Sequence, residues 1–122
     1  MKFTKLIKAD EQESKSDFDL LREVAEPLGW KLVLLNNNDV EIGQYSPAGE
    51  DFWFSLNGDE DYFEQIIRYA NNFDVDEHAE MWVGGKGAPS ISILVDDARD
   101  IQKMLYELCD AIRPLLPSRK NK

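Results

Sequence analysis

The sequence has few of the residues on which most enzyme chemistry depends. It contains one cysteine, Cys109, and one histidine, His78, in 122 residues. A single cysteine excludes an internal disulfide framework and fits a reducing cytoplasm, which is the location we predict. No apolar run approaches the roughly 20 residues that cross a bilayer. Residues 1–8 carry a lysine at every third position, so they lack the apolar stretch of a secretory signal.

Basic residues are also scarce, with 14 Lys and Arg against 24 Asp and Glu, a net charge of −10 and an isoelectric point near 4.5. This balance argues against direct binding to DNA, RNA or anionic membranes, because those ligands require clustered Lys and Arg. Twelve of the acids and one base, Arg68, lie between positions 39 and 80. Eight aromatic residues are interleaved with them, so we interpret this segment as folded structure with an acidic exterior.

The first half of the chain predicts one helix and a meander of strands. Alternation over residues 2–8 indicates a short strand, and residues 9–16 form a polar loop. Ser16 or Asp17 caps a helix that Pro27 and Gly29 end. Residues 30–35 have the apolar run of a buried strand, and residues 40–45 and 51–56 alternate with period two. The short links between these three segments predict an antiparallel meander.

The second half predicts three helices. Asn57 and Glu60 form a capping box for a helix that extends to position 73. Asp74 and Glu77 repeat that signature for a shorter helix that ends at position 82, and a glycine-rich joint follows at residues 84–90. Apolar residues then recur every three or four positions from 91 to 115. They predict a long amphipathic helix that ends near position 113, because Pro114 cannot continue it.

These elements predict a single α+β domain over residues 1–122, with polar ends near residues 9–16 and 117–122. The order is (β)-α-β-β-β-α-α-α, and helices cover one face of a three- to four-stranded antiparallel sheet. Phe52, Phe54 and Leu56 share one face of their strand, and Trp53 lies on the other. If the helices cover the phenylalanine face, Trp53 points outward beside Tyr45, where it is a candidate contact for a partner.

No motif for nucleophilic catalysis or phosphate binding is complete. Cys109 adjoins the apolar stripe of the last helix, which predicts a buried thiol, and it lies on a different helix from His78. The glycine-rich joint lacks the hydroxyl residue that a phosphate-binding loop requires after Lys86. We therefore predict that the protein is not an enzyme and binds no cofactor.

Acidic residues supply two further candidates for chemistry. Residues 74–80 carry acids or His78 at alternate positions, which suggests a metal site or a small metal-dependent enzyme. The segment lacks Gly and Glu where a calcium loop requires them, and Asp74 with His78 on one helix face makes too few ligands. We predict no metal and keep the metal-dependent enzyme as an alternative. Asp96, Asp97 and Asp100 are interpreted as part of a solvated helix face.

Two binding functions remain. In the first, the protein is a small accessory or adaptor protein that acts by protein–protein contact through aromatic and apolar side chains. In the second, its carboxylates imitate DNA and inhibit a nucleic-acid-binding protein such as a restriction or CRISPR nuclease. Both predict a protein partner, with a basic surface in the second, and neither involves direct contact with nucleic acid or membrane. A homodimer also fits, because the stripe of the last helix can face a second copy. The candidate partner-binding residues are Tyr45, Glu50, Asp51, Trp53, Asp59, Glu60, Asp61 and Glu64.

Four segments carry a resemblance to a known family. They are residues 45–54, 73–82, 87–90 and 94–98, with the sequences YSPAGEDFWF, FDVDEHAEMW, GAPS and LVDDA. They resemble a family of small acidic proteins from phages and conjugative elements of gut Gram-positive bacteria, over about residues 40–110. The resemblance implies an accessory role on mobile DNA, including inhibition of restriction or CRISPR nucleases. That family has no settled activity, so it implies no roles for individual residues.

Overall fold

The protein has an α+β fold, as predicted. The structure is a computed structural model that describes residues 16–84 and 89–116. The predicted strand over residues 2–8 lies outside these ranges, as do four residues of the glycine-rich joint. The helices are α1 (Asp17–Ala25), α2 (Tyr62–Asn72), α3 (Val75–Glu80) and α4 (Ile91–Ile112). The strands are β1 (Lys31–Leu34), β2 (Val40–Tyr45) and β3 (Asp51–Leu56), which lie between α1 and α2 in the chain. Short 3₁₀ turns follow α1 (Glu26–Leu28), β1 (Asn36–Asn38) and α4 (Arg113–Leu115).

The three strands form the predicted antiparallel meander in the order β1-β2-β3. Phe52, Phe54 and Leu56 are buried on one face, while Trp53 is 38% exposed on the other. Gly43 lies opposite Trp53 in the register, and a Cβ on Gly43 would come within 2.2 Å of the indole ring. The same Cβ would come within 2.5 Å of the Phe52 carbonyl oxygen, so a larger residue at position 43 would displace both the Trp53 indole and the backbone of β3 beside it.

The helices cover the phenylalanine face and enclose one core. The apolar stripe of α4 is buried from Leu94 to Ile112, and so is the Cys109 thiol beside it, as predicted, but Ile91 at the start of the predicted stripe is exposed. An aromatic cluster fills the space between the sheet and α2, where the rings of Phe54 and Tyr69 stack with their centroids 4.3 Å apart. The buried residues of the α4 stripe are Leu94, Ala98, Ile101, Leu105, Leu108 and Ile112.

No helix in the described ranges is both long enough and apolar enough to span a bilayer.

Two helix caps are confirmed and one is wrong. Ser16 caps α1 and Asp74 caps α3 through side-chain hydrogen bonds from backbone amides. The predicted capping box of Asn57 and Glu60 does not form, because the Asn57 side chain accepts the backbone N–H of Asp59 within a turn that precedes the helix. Asp61 caps α2 instead and accepts the first amides of that helix.

The strand predicted at residues 30–35 forms as β1, but its predicted burial is wrong. Trp30 is buried in the core, whereas β1 is an edge strand among the described strands, and Val33 and Leu34 are exposed. An edge strand has a neighbour on one side, and α1 packs on it only partly, so its apolar composition does not imply burial.

Candidate functional site

The described residues form a cleft of about 380 Å³ where the β2–β3 hairpin meets the end of α2 and one side of α3. We call it the hairpin–helix cleft. One wall comes from the first residues of β3, and the other comes from α3 and the turn that follows it. Its lining residues are Glu50, Asp51, Phe52, Trp53, Tyr69, Asn72, Phe73, Asp74, Glu77, His78, Met81 and Trp82.

A contact between Glu50 and His78 joins the two walls. The Nε2 atom of His78 lies 2.8 Å from Oε2 of Glu50, and the two side chains are only 14% and 15% exposed. The imidazole also packs against two phenyl rings, with centroid distances of 5.7 Å to Phe52 and 5.1 Å to Phe73. Three contacts therefore hold the His78 ring, and the contact with Glu50 positions that carboxylate in the lining of the cleft.

The start of α3 explains why His78 faces the hairpin. The Asp74 carboxylate accepts the backbone N–H of Glu77, and the Asp74 carbonyl accepts the N–H of His78 at 2.9 Å. The helix therefore begins at Val75, and His78 lies on its first turn. The side of α3 that carries the buried residue Ala79 packs on α4. This packing leaves the opposite side of α3 to line the cleft.

Asp97 anchors the hairpin wall, which sequence reasoning missed. Asp97 is 6% exposed, not solvated as predicted. Its carboxylate accepts the hydroxyl of Ser46 at 2.6 Å and the backbone N–H of Ala48 at 3.0 Å. The Ser46 oxygen in turn accepts the N–H of Glu50 at 2.9 Å. A chain of hydrogen bonds therefore runs from α4 to the residue that meets His78.

The rim of the cleft is aromatic and exposed. The indole Nε1–H of Trp53 donates to Oδ1 of Asp51 at 2.6 Å, which holds that ring at the edge of β3. Trp82 and Met81 are exposed on the facing side, after the end of α3. Tyr45 pairs with Asp51 in the register and is 63% exposed, but it does not line the cleft.

The cleft is strongly anionic. Its lining includes four carboxylates (Glu50, Asp51, Asp74 and Glu77), and none of the described residues that line it is Lys or Arg. Burial, and then the charge of Glu50, raise the pKa of the Tyr69 hydroxyl above its usual range. Carboxylates set among aromatic rings attract cations by direct charge and by the negative faces of the rings. The site is therefore suited to a cationic ligand.

The eight predicted binding residues fall into two groups at opposite ends of β3, a strand about 17 Å long. Glu50, Asp51 and Trp53 line the cleft, and Tyr45 lies beside them on the hairpin. The other four precede or begin α2, and two of them have structural roles: Asp61 caps the helix, and Glu60 pairs with Arg68 at 3.1 Å. The second group consists of Asp59, Glu60, Asp61 and Glu64.

The metal alternative rests on residues 74–80, of which the structure places Asp74, Glu77 and His78 in the cleft. Within residues 16–84 and 89–116, no three His, Cys, Asp or Glu side chains are grouped so that they could hold a metal ion.

Comparisons with protein-family models, with curated proteins and with solved structures find no match to the chain.

Proposed function

We propose that this protein is a non-enzymatic binding domain that captures a cationic side chain of a partner protein in the hairpin–helix cleft. The observation that carries the proposal is the combination of four carboxylates and several aromatic faces in one concavity. An arginine guanidinium fits this chemistry best, because it is flat enough to stack on an indole and forms paired hydrogen bonds with a carboxylate.

We expect the exposed indoles to contribute much of the energy with which the cleft binds a cationic side chain. Trp53 and Trp82 both line the cleft and are both exposed, and tryptophan is the aromatic residue that binds cations most strongly. Tryptophan is also enriched among the residues that contribute most of the binding energy in protein interfaces. The accessory role on mobile DNA, which the family resemblance implies, is compatible with such capture and stays a prediction.

The test uses two probes that differ only in charge: an acetylated tetra-arginine amide and the same peptide with citrulline, the neutral analogue of arginine. We expect the arginine peptide to quench or shift the tryptophan fluorescence and the citrulline peptide to have no effect. Added salt should weaken the binding only in part, because the stacking contribution is not screened.

A matched pair of double variants separates the cleft from overall charge. Asp51→Asn with Glu77→Gln removes two charges from the cleft, and we expect about tenfold weaker binding of the arginine peptide. Asp59→Asn with Glu64→Gln removes two charges at the far end of β3 and should change the affinity less than about threefold. Equal losses in the two double variants would contradict the proposal, because net charge would then explain the binding.

The DNA-mimic hypothesis predicts the opposite order. It requires the acids at the start of α2, with the rest of the acidic surface, to occupy a groove built for phosphates. A basic nuclease that loses affinity mainly through Asp59→Asn with Glu64→Gln would favour that hypothesis over capture in the cleft.

A further inference from the structure

The outer edge of β3 has backbone groups that no other strand in the described residues uses. Residues in an antiparallel pair alternate between hydrogen-bonded and non-hydrogen-bonded positions. The Ser46 N–H donates to the Glu50 carbonyl at 2.8 Å, which sets the phase of the β2–β3 pairing. Counting along the register, Phe52, Phe54 and Leu56 bond to β2.

The same count leaves Asp51, Trp53 and Ser55 with their N–H and C=O groups directed away from β2. The β1–β2 pairing gives an independent check, because the Leu35 N–H donates to the Asp39 carbonyl at 2.7 Å. That bond assigns the odd-numbered residues of β2 to β1 and leaves its even-numbered residues for β3. We call the outward-directed groups of Asp51, Trp53 and Ser55 the β3 edge.

We propose, on the basis of the proposed function, that the partner binds as an extended basic segment that pairs with the β3 edge as a fourth strand. The hairpin–helix cleft lies along the first half of this edge. Because side chains of a strand alternate between faces, an added strand would send every second side chain into the cleft beside Phe52. The intervening side chains would lie on the outer face beside Asp51 and Trp53.

The acidic residues around the β3 edge determine which kind of strand can pair there and why it pairs at β3 and not at β1. Acidic groups flank the β3 edge on both faces of the sheet, with Glu50 on the same face as Phe52, Glu77 across the cleft, and Asp51 on the face of Trp53 at the rim of the cleft. These charges oppose pairing with a second acidic copy of this chain and favour a basic strand. The other edge strand of the described sheet, β1, begins with Lys31 and has no acidic residue, so it serves as an internal control that lacks the charge of the β3 edge.

The first experiment measures amide hydrogen exchange by NMR with and without the probe Ac-Thr-Arg-Thr-Arg-Thr-Arg-Thr-NH₂ at saturation. We expect the amides of Trp53 and Ser55 to exchange at least about tenfold more slowly in the complex. The outward amides of β1, at Leu32 and Leu34, should be unchanged. Equal slowing at both edges would indicate general stabilisation and would overturn the proposal.

The second experiment tests backbone pairing from the side of the probe. One peptide carries N-methyl groups on its three arginines and the other carries them on three of its threonines, so charge and side chains are the same. Only one of the two sets of amides can face β3, so one peptide should bind about tenfold more weakly than the other. Equal affinities of the two would refute strand addition.

The outcomes distinguish this inference from the proposed function. Binding that depends on Asp51 and Glu77, without exchange protection at Trp53 and Ser55, would retain cation capture and reject strand addition. No binding of any arginine peptide would reject both.

Discussion

Replacing Asp97 by alanine should destabilise the protein more than any other single change of an acidic residue in α4. The change removes two hydrogen bonds to a carboxylate, from the Ser46 hydroxyl and the Ala48 N–H, and bonds of this kind contribute about 1.5–3 kcal/mol each. Ala48 is exposed, so water replaces its lost partner, whereas Ser46 is buried and its hydroxyl, which still accepts the Glu50 N–H, loses the acceptor of its own hydrogen. The alanine variant no longer buries the Asp97 carboxylate, so the free-energy cost of removing that anion from water disappears and offsets part of the loss in stability. The net expectation is about 3 kcal/mol.

Urea unfolding followed by circular dichroism measures this cost. A loss of about 3 kcal/mol corresponds to a melting temperature roughly 9–15 °C lower for a domain of this size. The neighbouring Asp96→Ala is the matched control, because the Asp96 side chain is 76% exposed and its removal should cost less than about 0.5 kcal/mol. If Asp97→Ala and Asp96→Ala unfold within about 1 kcal/mol of each other, the anchoring role that we assign to Asp97 is incorrect.

Two further predictions concern the sheet and the core. Gly43→Ala should displace the Trp53 indole, lower the free energy of unfolding by about 1–3 kcal/mol and shift the tryptophan emission; an unchanged spectrum would contradict the close approach. Burial raises the pKa values of Cys109, Tyr62 and Tyr69 above their ordinary values of 9.0, 10.0 and 10.0. As the pH rises, the unfolded chain therefore loses these protons at a lower pH than the folded protein does. These groups should leave the free energy of unfolding unchanged below about pH 8 and lower it as the pH rises through 9 and beyond. Urea midpoints at pH 8 and pH 10.5 measure the fall, and Cys109→Ala should reduce it; equal midpoints for the unmodified protein would refute the argument.

The fold was predictable because its main elements have unambiguous local patterns. The alternation of residues 51–56 correctly divides the phenylalanines from Trp53, and the spacing of the α4 stripe identifies its buried face. The helix cap at Asp74 was also predictable, because its hydrogen bond is local in sequence.

The site was only partly predictable, because its contacts join distant segments. Glu50 was a candidate, but its partner His78 lies 28 positions away, and no local pattern indicates that pairing. Asp97 did have a signal in the sequence, since it lies three positions after Leu94 and four before Ile101, on the buried side of α4. An acidic residue at such a position indicates a buried side chain that accepts hydrogen bonds. The charged residues next to Asp97 in the sequence instead led to the prediction that it lies on a solvated face.

A single helix supports both walls of the hairpin–helix cleft. The hairpin is tied to α4 through Asp97, and α3 packs on the same helix. A shift of α4 would therefore carry the two walls together and preserve the spacing between Glu50 and His78. Distortions of the sheet alone would change that spacing, so the shape of the recognition surface should tolerate movement of the helical layer better than movement of the strands.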